Sequence, residues 1–111
     1  MIKIKEDALH EMALVNISST EDDLPFLVQV KLPDHSPPHA HIVSHDGKTD
    51  LGQILIPKAV PQYANDIEMY KGKLSDADRV ALFAWMKKRS KRQPKLTNWE
   101  MLNTFWGSAS K

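Results

Sequence analysis

The chain has 111 residues, 41% hydrophobic and 26% charged, with a net charge of +1 and no cysteine. That length suits one domain with one core, residues 1–111 throughout, and the composition is that of an ordinary soluble globular protein. Disulfides, thiolate nucleophiles and cysteine-ligated zinc or iron–sulfur centres are excluded, and no run approaches the roughly 18 apolar residues of a membrane span.

The N-terminal Met1-Ile2-Lys3-Ile4-Lys5 lacks a signal peptide's apolar stretch. With the missing cysteines, this leads us to expect a reducing, cytoplasmic location and no membrane partner. The charge is unevenly spread. Residues 1–75 hold seven basic and eleven acidic side chains, and residues 76–111 hold eight and three, so the halves carry −4 and +5. Such polarity steers anionic partners toward one end.

In chain order, residues 1–32 read as N-terminal strands and a loop. Ile2 to Lys5 alternates like a strand, and Glu11 to Ile17 fits either a strand or the end of a short helix. Ser18 to Asp23 is a polar turn with Glu21, Asp22 and Asp23. Phe26 to Leu32 is a strand between Pro25 and Pro33, with Phe26, Val28, Val30 and Leu32 on one face and Gln29 and Lys31 on the other.

Residues 33–57 hold four of the five histidines and an Asp46-Gly47 pair between two strand-like runs. Asp-Gly there signals a two-residue type I′ hairpin turn. That turn sets Val43 opposite Asp50, Ile42 opposite Leu51 and His41 opposite Gly52. It places Ala40, Ile42, Leu51 and Leu55 on the core face, and His39, His41, His45, Asp50, Val43 and Ile54 on the other. Strands are expected near 39–45 and 48–56, with Pro37-Pro38 fixing an extended lead-in. Residues 57–74 read as a connector with a helical turn, from which Tyr63, Ile67 and Tyr70 cover the sheet.

A helix is expected from an N-cap at Ser75, with Asp76 and Asp78 at its positive end, to about Arg89. The apolar run Val80 to Met86 occupies most of its circumference and predicts burial all round. After Pro94, Thr97-Asn98-Trp99-Glu100 has capping-box spacing. It opens a second helix over 97–107, with Trp99, Leu102, Phe105 and Trp106 as an apolar stripe ending at Gly107. The sum is an α+β fold: a three- to four-stranded, mainly antiparallel sheet with two C-terminal helices, 75–90 and 97–107, on one face.

Two segments carry candidate chemistry. His39 and His41, at i and i+2 on a strand, point the same way about 6.6–7 Å apart. They suit one divalent transition metal with Asp50 as third ligand, His35 as an additional member and His45 as candidate acid or base. Against this stand two plainer readings: histidine as an ordinary polar residue on an open sheet face, and histidine as an anchor that orders the Pro37-Pro38 lead-in. The second segment holds Lys87, Lys88, Arg89, Lys91, Arg92 and Lys95, six cations in nine residues. It suits phosphates or an acidic protein partner, and its plainer reading is a solvated helix end and linker.

Pro37-Pro38-His39-Ala40-His41, Gly52-Gln53-Ile54-Leu55, Trp85 and Asn98-Trp99 together resemble a small uncharacterised bacterial domain family of the DUF type. The resemblance spans about residues 33 to 106. That family places an aromatic where this chain has Ala40, and it has no established activity. Toxin–antitoxin-like settings of some members imply a partner-binding or nucleic-acid-associated role. The leading expectation is a binding module acting through residues 87–95, and the alternative is a metal-dependent hydrolase of phosphate esters on the histidine face.

Overall fold

The computed structural model describes residues 14–19, 21–31 and 37–109. Five strands lie in sequence order in one antiparallel sheet: β1 Leu14–Asn16, β2 Leu27–Lys31, β3 His39–Val43, β4 Asp50–Leu55 and β5 Met69–Gly72. A 3-10 turn at Ala64–Asp66 precedes β5, and helices α1 (Asp76–Lys87) and α2 (Asn98–Ala109) follow it. The α+β class is as expected, with five strands in place of three or four. The fifth lies in the segment read as a connector. Ile2 to Lys5 and His35 fall outside the described residues.

One sheet face is apolar across its width. Val15 pairs with Val30, Val28 with Ile42, and Ala40 with Ile54, which pairs in turn with Met69. Val28, Val30, Ala40, Ile42 and Ile54 are wholly buried and join one core with Leu82, Trp85, Met86 and Leu102 from the helices. The alternation of β2 and β3 dictates this, since residues two apart share a face.

The hairpin differs from the type I′ expectation. Among the described residues only glycines have positive φ, so Asp46 does not adopt that turn, and of the two expected turn residues only Gly47 is left-handed, at φ 75°. The loop is longer. The Gly47 N–H donates to the Ser44 carbonyl at 2.8 Å, and the Ser44 N–H donates to Thr49 at 2.9 Å. Asp46 accepts from the Ser44 hydroxyl and from the Lys48 N–H. Val43 still faces Asp50, but a bulge then takes up Leu51, so Ile42 faces Gly52 and His41 faces Gln53. The slip reverses the expected faces of β4: Ile54 is buried in the core, while Leu51 and Leu55 are half-buried.

Helix α1 starts as expected, with the Ser75 hydroxyl accepting the Asp78 N–H at 3.1 Å. It is not buried all round. Leu82, Trp85 and Met86 form its buried stripe, whereas Val80 is 55% exposed. Helix α2 has the expected capping box: Glu100 accepts the Thr97 N–H at 2.8 Å, and Thr97 Oγ1 accepts the Glu100 N–H at 3.2 Å. It continues through Gly107 to Ala109.

Candidate functional site

The face opposite the core carries a continuous polar row. Asn16, Gln29, His41, Gln53 and Lys71 are successive partners, one from each of the five strands. Adjacent strands lie about 4.8 Å apart, so the row spans on the order of 19 Å. The Gln29 amide donates to Asn16 Oδ1 at 2.8 Å. His41 and Gln53 are half-buried, and Asn16 and Lys71 are exposed.

A ring cluster lies beside the row. His39 is 1% exposed and stacks on Tyr70 with centroids 4.5 Å apart. The His41 and Trp106 rings are 5.2 and 5.4 Å from it. His39 Nδ1 lies 2.7 Å from the Pro37 carbonyl. In the neutral ring the proton therefore sits on Nδ1, because a carbonyl can only accept. This contact fastens the proline lead-in, as the anchoring reading requires. The Pro38 carbonyl meanwhile accepts the Ile56 N–H at 3.0 Å. Tyr70 reaches His39 across β4 because β5 also bulges: Gln53 faces Lys71 while Ile54 faces Met69, leaving Tyr70 as the extra residue.

The expected metal trio does not assemble. Asp50 stays opposite Val43, the bulge at Leu51 moves the partner of His41 one residue further along β4 to Gln53, and the Asp50 carboxylate accepts the Gly52 N–H at 2.9 Å. Among the described residues no group of three His, Asp or Glu side chains is placed to hold a metal ion. His45 lies in the hairpin loop, away from His39 along the strand, and its Nε2 donates to the Leu24 carbonyl at 2.8 Å. That bond ties the loop to the segment before β2 and gives His45 a structural role.

The basic segment is a closed loop. Arg89 bridges Thr97, the Ser90 N–H donates to Leu96 at 2.8 Å, and the Asn98 N–H donates to Lys88 at 2.8 Å. Buried Ser90 sits inside, its hydroxyl accepting the N–H groups of Arg92 and Gln93. The guanidinium of Arg89 donates to the Lys95 carbonyl at 2.9 Å. Lys87, Lys88, Arg89, Lys91, Arg92 and Lys95 are all exposed. Lys87 lies 4.8 Å from the centre of the Phe83 ring, a cation–π contact.

The acidic turn lies against this loop. Glu21, Asp22, Asp23, Trp85, Lys88 and Lys91 line one cleft of about 300 Å3. Asp22 is fixed there, accepting from Trp85 Nε1 at 2.9 Å and from the Ser19 N–H at 2.7 Å.

The basic loop was legible as charge and the histidine pair as spacing. Gln53, Lys71 and Tyr70 were missed as site residues, because two bulges decide where they point. Among the described residues no helix is long and apolar enough to cross a membrane. Comparison with family models, with curated proteins and with solved structures finds no match for this chain.

Proposed function

We propose that this chain is a small binding module that engages nucleic acid through the loop at residues 87–95. The observation that carries this reading is the closure of the loop. Six exposed cations stand on a backbone pinned by its own hydrogen bonds, so little ordering entropy opposes their contact with successive phosphates. Lys and Arg stay charged at any physiological pH, which suits a phosphate contact independent of sequence. Metal-dependent hydrolysis on the histidine face is the weaker reading, because no group of three ligating side chains forms among the described residues and the Asp50 carboxylate is bonded to the Gly52 N–H.

The test is fluorescence anisotropy with a labelled single-stranded oligonucleotide between about 50 and 200 mM salt. With roughly four to six phosphates neutralised, log affinity should fall against log salt with a slope of about −3 to −4. Lys91→Glu/Arg92→Glu/Lys95→Glu should abolish binding while the far-ultraviolet circular dichroism stays unchanged. Salt-insensitive binding, or equal binding by the charge-reversed loop, would sink the reading.

A further inference from the structure

We infer that the cleft between the acidic turn and the end of α1 is a binding site for a small zwitterion, a free α-amino acid with an apolar side chain. The site shares Lys88 and Lys91 with the basic loop, but it does not depend on that loop's engaging nucleic acid.

At about 300 Å3 the cleft lies at the small end of the range for ligand pockets. Its lining holds both signs of charge. Glu21, Asp22 and Asp23 come from the turn, and Lys88 and Lys91 from the end of α1 and the loop after it. Asp22 is the fixed point. The donors it accepts, Trp85 Nε1 at 2.9 Å and the Ser19 N–H at 2.7 Å, both reach one carboxylate oxygen, Oδ2. Its Oδ1 is therefore an acceptor on a half-buried carboxylate that is already oriented in the cleft lining. A group oriented before its ligand arrives loses little entropy on binding it. Glu21 and Asp23 are exposed on either side of it in the turn. An ammonium suits such acids, because it brings three donors to carboxylate oxygens. A metal ion does not, since no three His, Asp or Glu side chains among the described residues are placed to hold one.

The cations stand on anchored backbone as well. The Lys88 N–H donates to the Trp85 carbonyl at 3.0 Å, and the Lys88 carbonyl accepts the Asn98 N–H at 2.8 Å. Lys91 follows the buried Ser90, whose N–H donates to the Leu96 carbonyl at 2.8 Å. Two ammonium groups so carried match a carboxylate, through charge-assisted hydrogen bonds. Ala81, Ala84 and Trp85 complete the lining with apolar surface, and the two alanines leave room for a ligand side chain. A ligand with a single charge would take one set of groups out of water and leave the other unpaired, which is costly. A zwitterion pairs both sets, and this chemistry fixes the class of ligand.

The experiment titrates the isotope-labelled full chain with leucine, followed by heteronuclear NMR. Parallel titrations use isopentylamine and isocaproate, which keep the leucine side chain with only the ammonium or only the carboxylate. Leucine should shift the amides of Glu21 to Asp23 and the Trp85 indole N–H saturably. It should bind at least about ten-fold more tightly than either analogue. Lys88→Gln/Lys91→Gln should weaken leucine about ten-fold and leave isopentylamine unchanged. Glu21→Gln/Asp23→Asn should weaken leucine and isopentylamine and leave isocaproate unchanged. All four substituted positions are exposed, and the comparison of the three probes on wild type needs no variant. An analogue that binds as tightly as leucine, shifts confined to other parts of the chain, or variants that leave leucine binding unchanged each overturn the inference. So does a leucine titration that shows no saturable shift up to about 20 mM. None of these results bears on the loop reading, which the oligonucleotide titrations test separately.

Discussion

His39 and His45 show how differently one residue type can be used within a single hairpin. The His39 ring is buried, bonded to the Pro37 carbonyl and stacked on Tyr70. His39→Ala therefore removes a packed ring and a buried hydrogen bond together, and should cost about 3 kcal/mol in urea unfolding. His45 is exposed and makes one bond to Leu24, so His45→Ala should cost about 1 kcal/mol. Equal losses would mean that the ring cluster contributes nothing beyond a single hydrogen bond. Asp46 adds a pH signature. The Ser44 hydroxyl, and then the Lys48 N–H, hold its carboxyl below the ordinary value of 3.8. Those donors favour the charged form, so the stabilisation is complete above the unfolded value and is lost as pH falls through the lower folded one. The stability difference between wild type and Asp46→Asn should be constant above about pH 5 and shrink as the pH falls below 3.8.

At the scale of elements, strand positions and the faces of β2 and β3 were legible, because alternation of apolar side chains fixes them. The bulges were not, since they depend on how closely backbones approach. Gly72 illustrates this. Its φ is +73°, and a Cβ there would lie 3.1 Å from the Gly52 Cα, a backbone atom with nowhere to go. Gly47 has a similar φ of +75° but open space around it. Gly47→Ala should therefore cost only the left-handed strain of about 1–2 kcal/mol. Gly72→Ala should cost clearly more, because the β4–β5 pairing must open as well. Paired thermal melts of the two variants test this, and equal shifts in Tm would show that the close approach carries no energy. The helix starts were legible for a different reason. Ser75 and Thr97 act through local spacing alone, and Thr97→Ala should cost about 1 kcal/mol by losing its half of the capping box.

At the scale of the whole molecule, the segregation of charge was plain in the sequence, but its three-dimensional consequence was not. The acidic turn and the basic loop are more than 60 residues apart in the chain, yet the Trp85 Nε1 bond to Asp22 brings them to one cleft. Glu21 and Asp23 are exposed beside Lys88 and Lys91, where they lower the positive potential that an approaching phosphate meets. If the loop engages phosphates as proposed, the acidic turn should act as a brake on it. Neutralising it with Glu21→Gln/Asp23→Asn leaves Asp22 and its bonds intact, so the fold should not change. At low salt the double variant should bind an oligonucleotide roughly three- to ten-fold more tightly. The gain should fade near 1 M salt, where the screening length drops to about 3 Å. Titrations of wild type and double variant across that salt range measure both effects. A gain that persists at high salt would indicate a rearranged loop rather than a removed repulsion. No gain at any salt would mean that phosphates approach the loop from the side of Arg92 and Lys95, beyond the reach of the acidic turn.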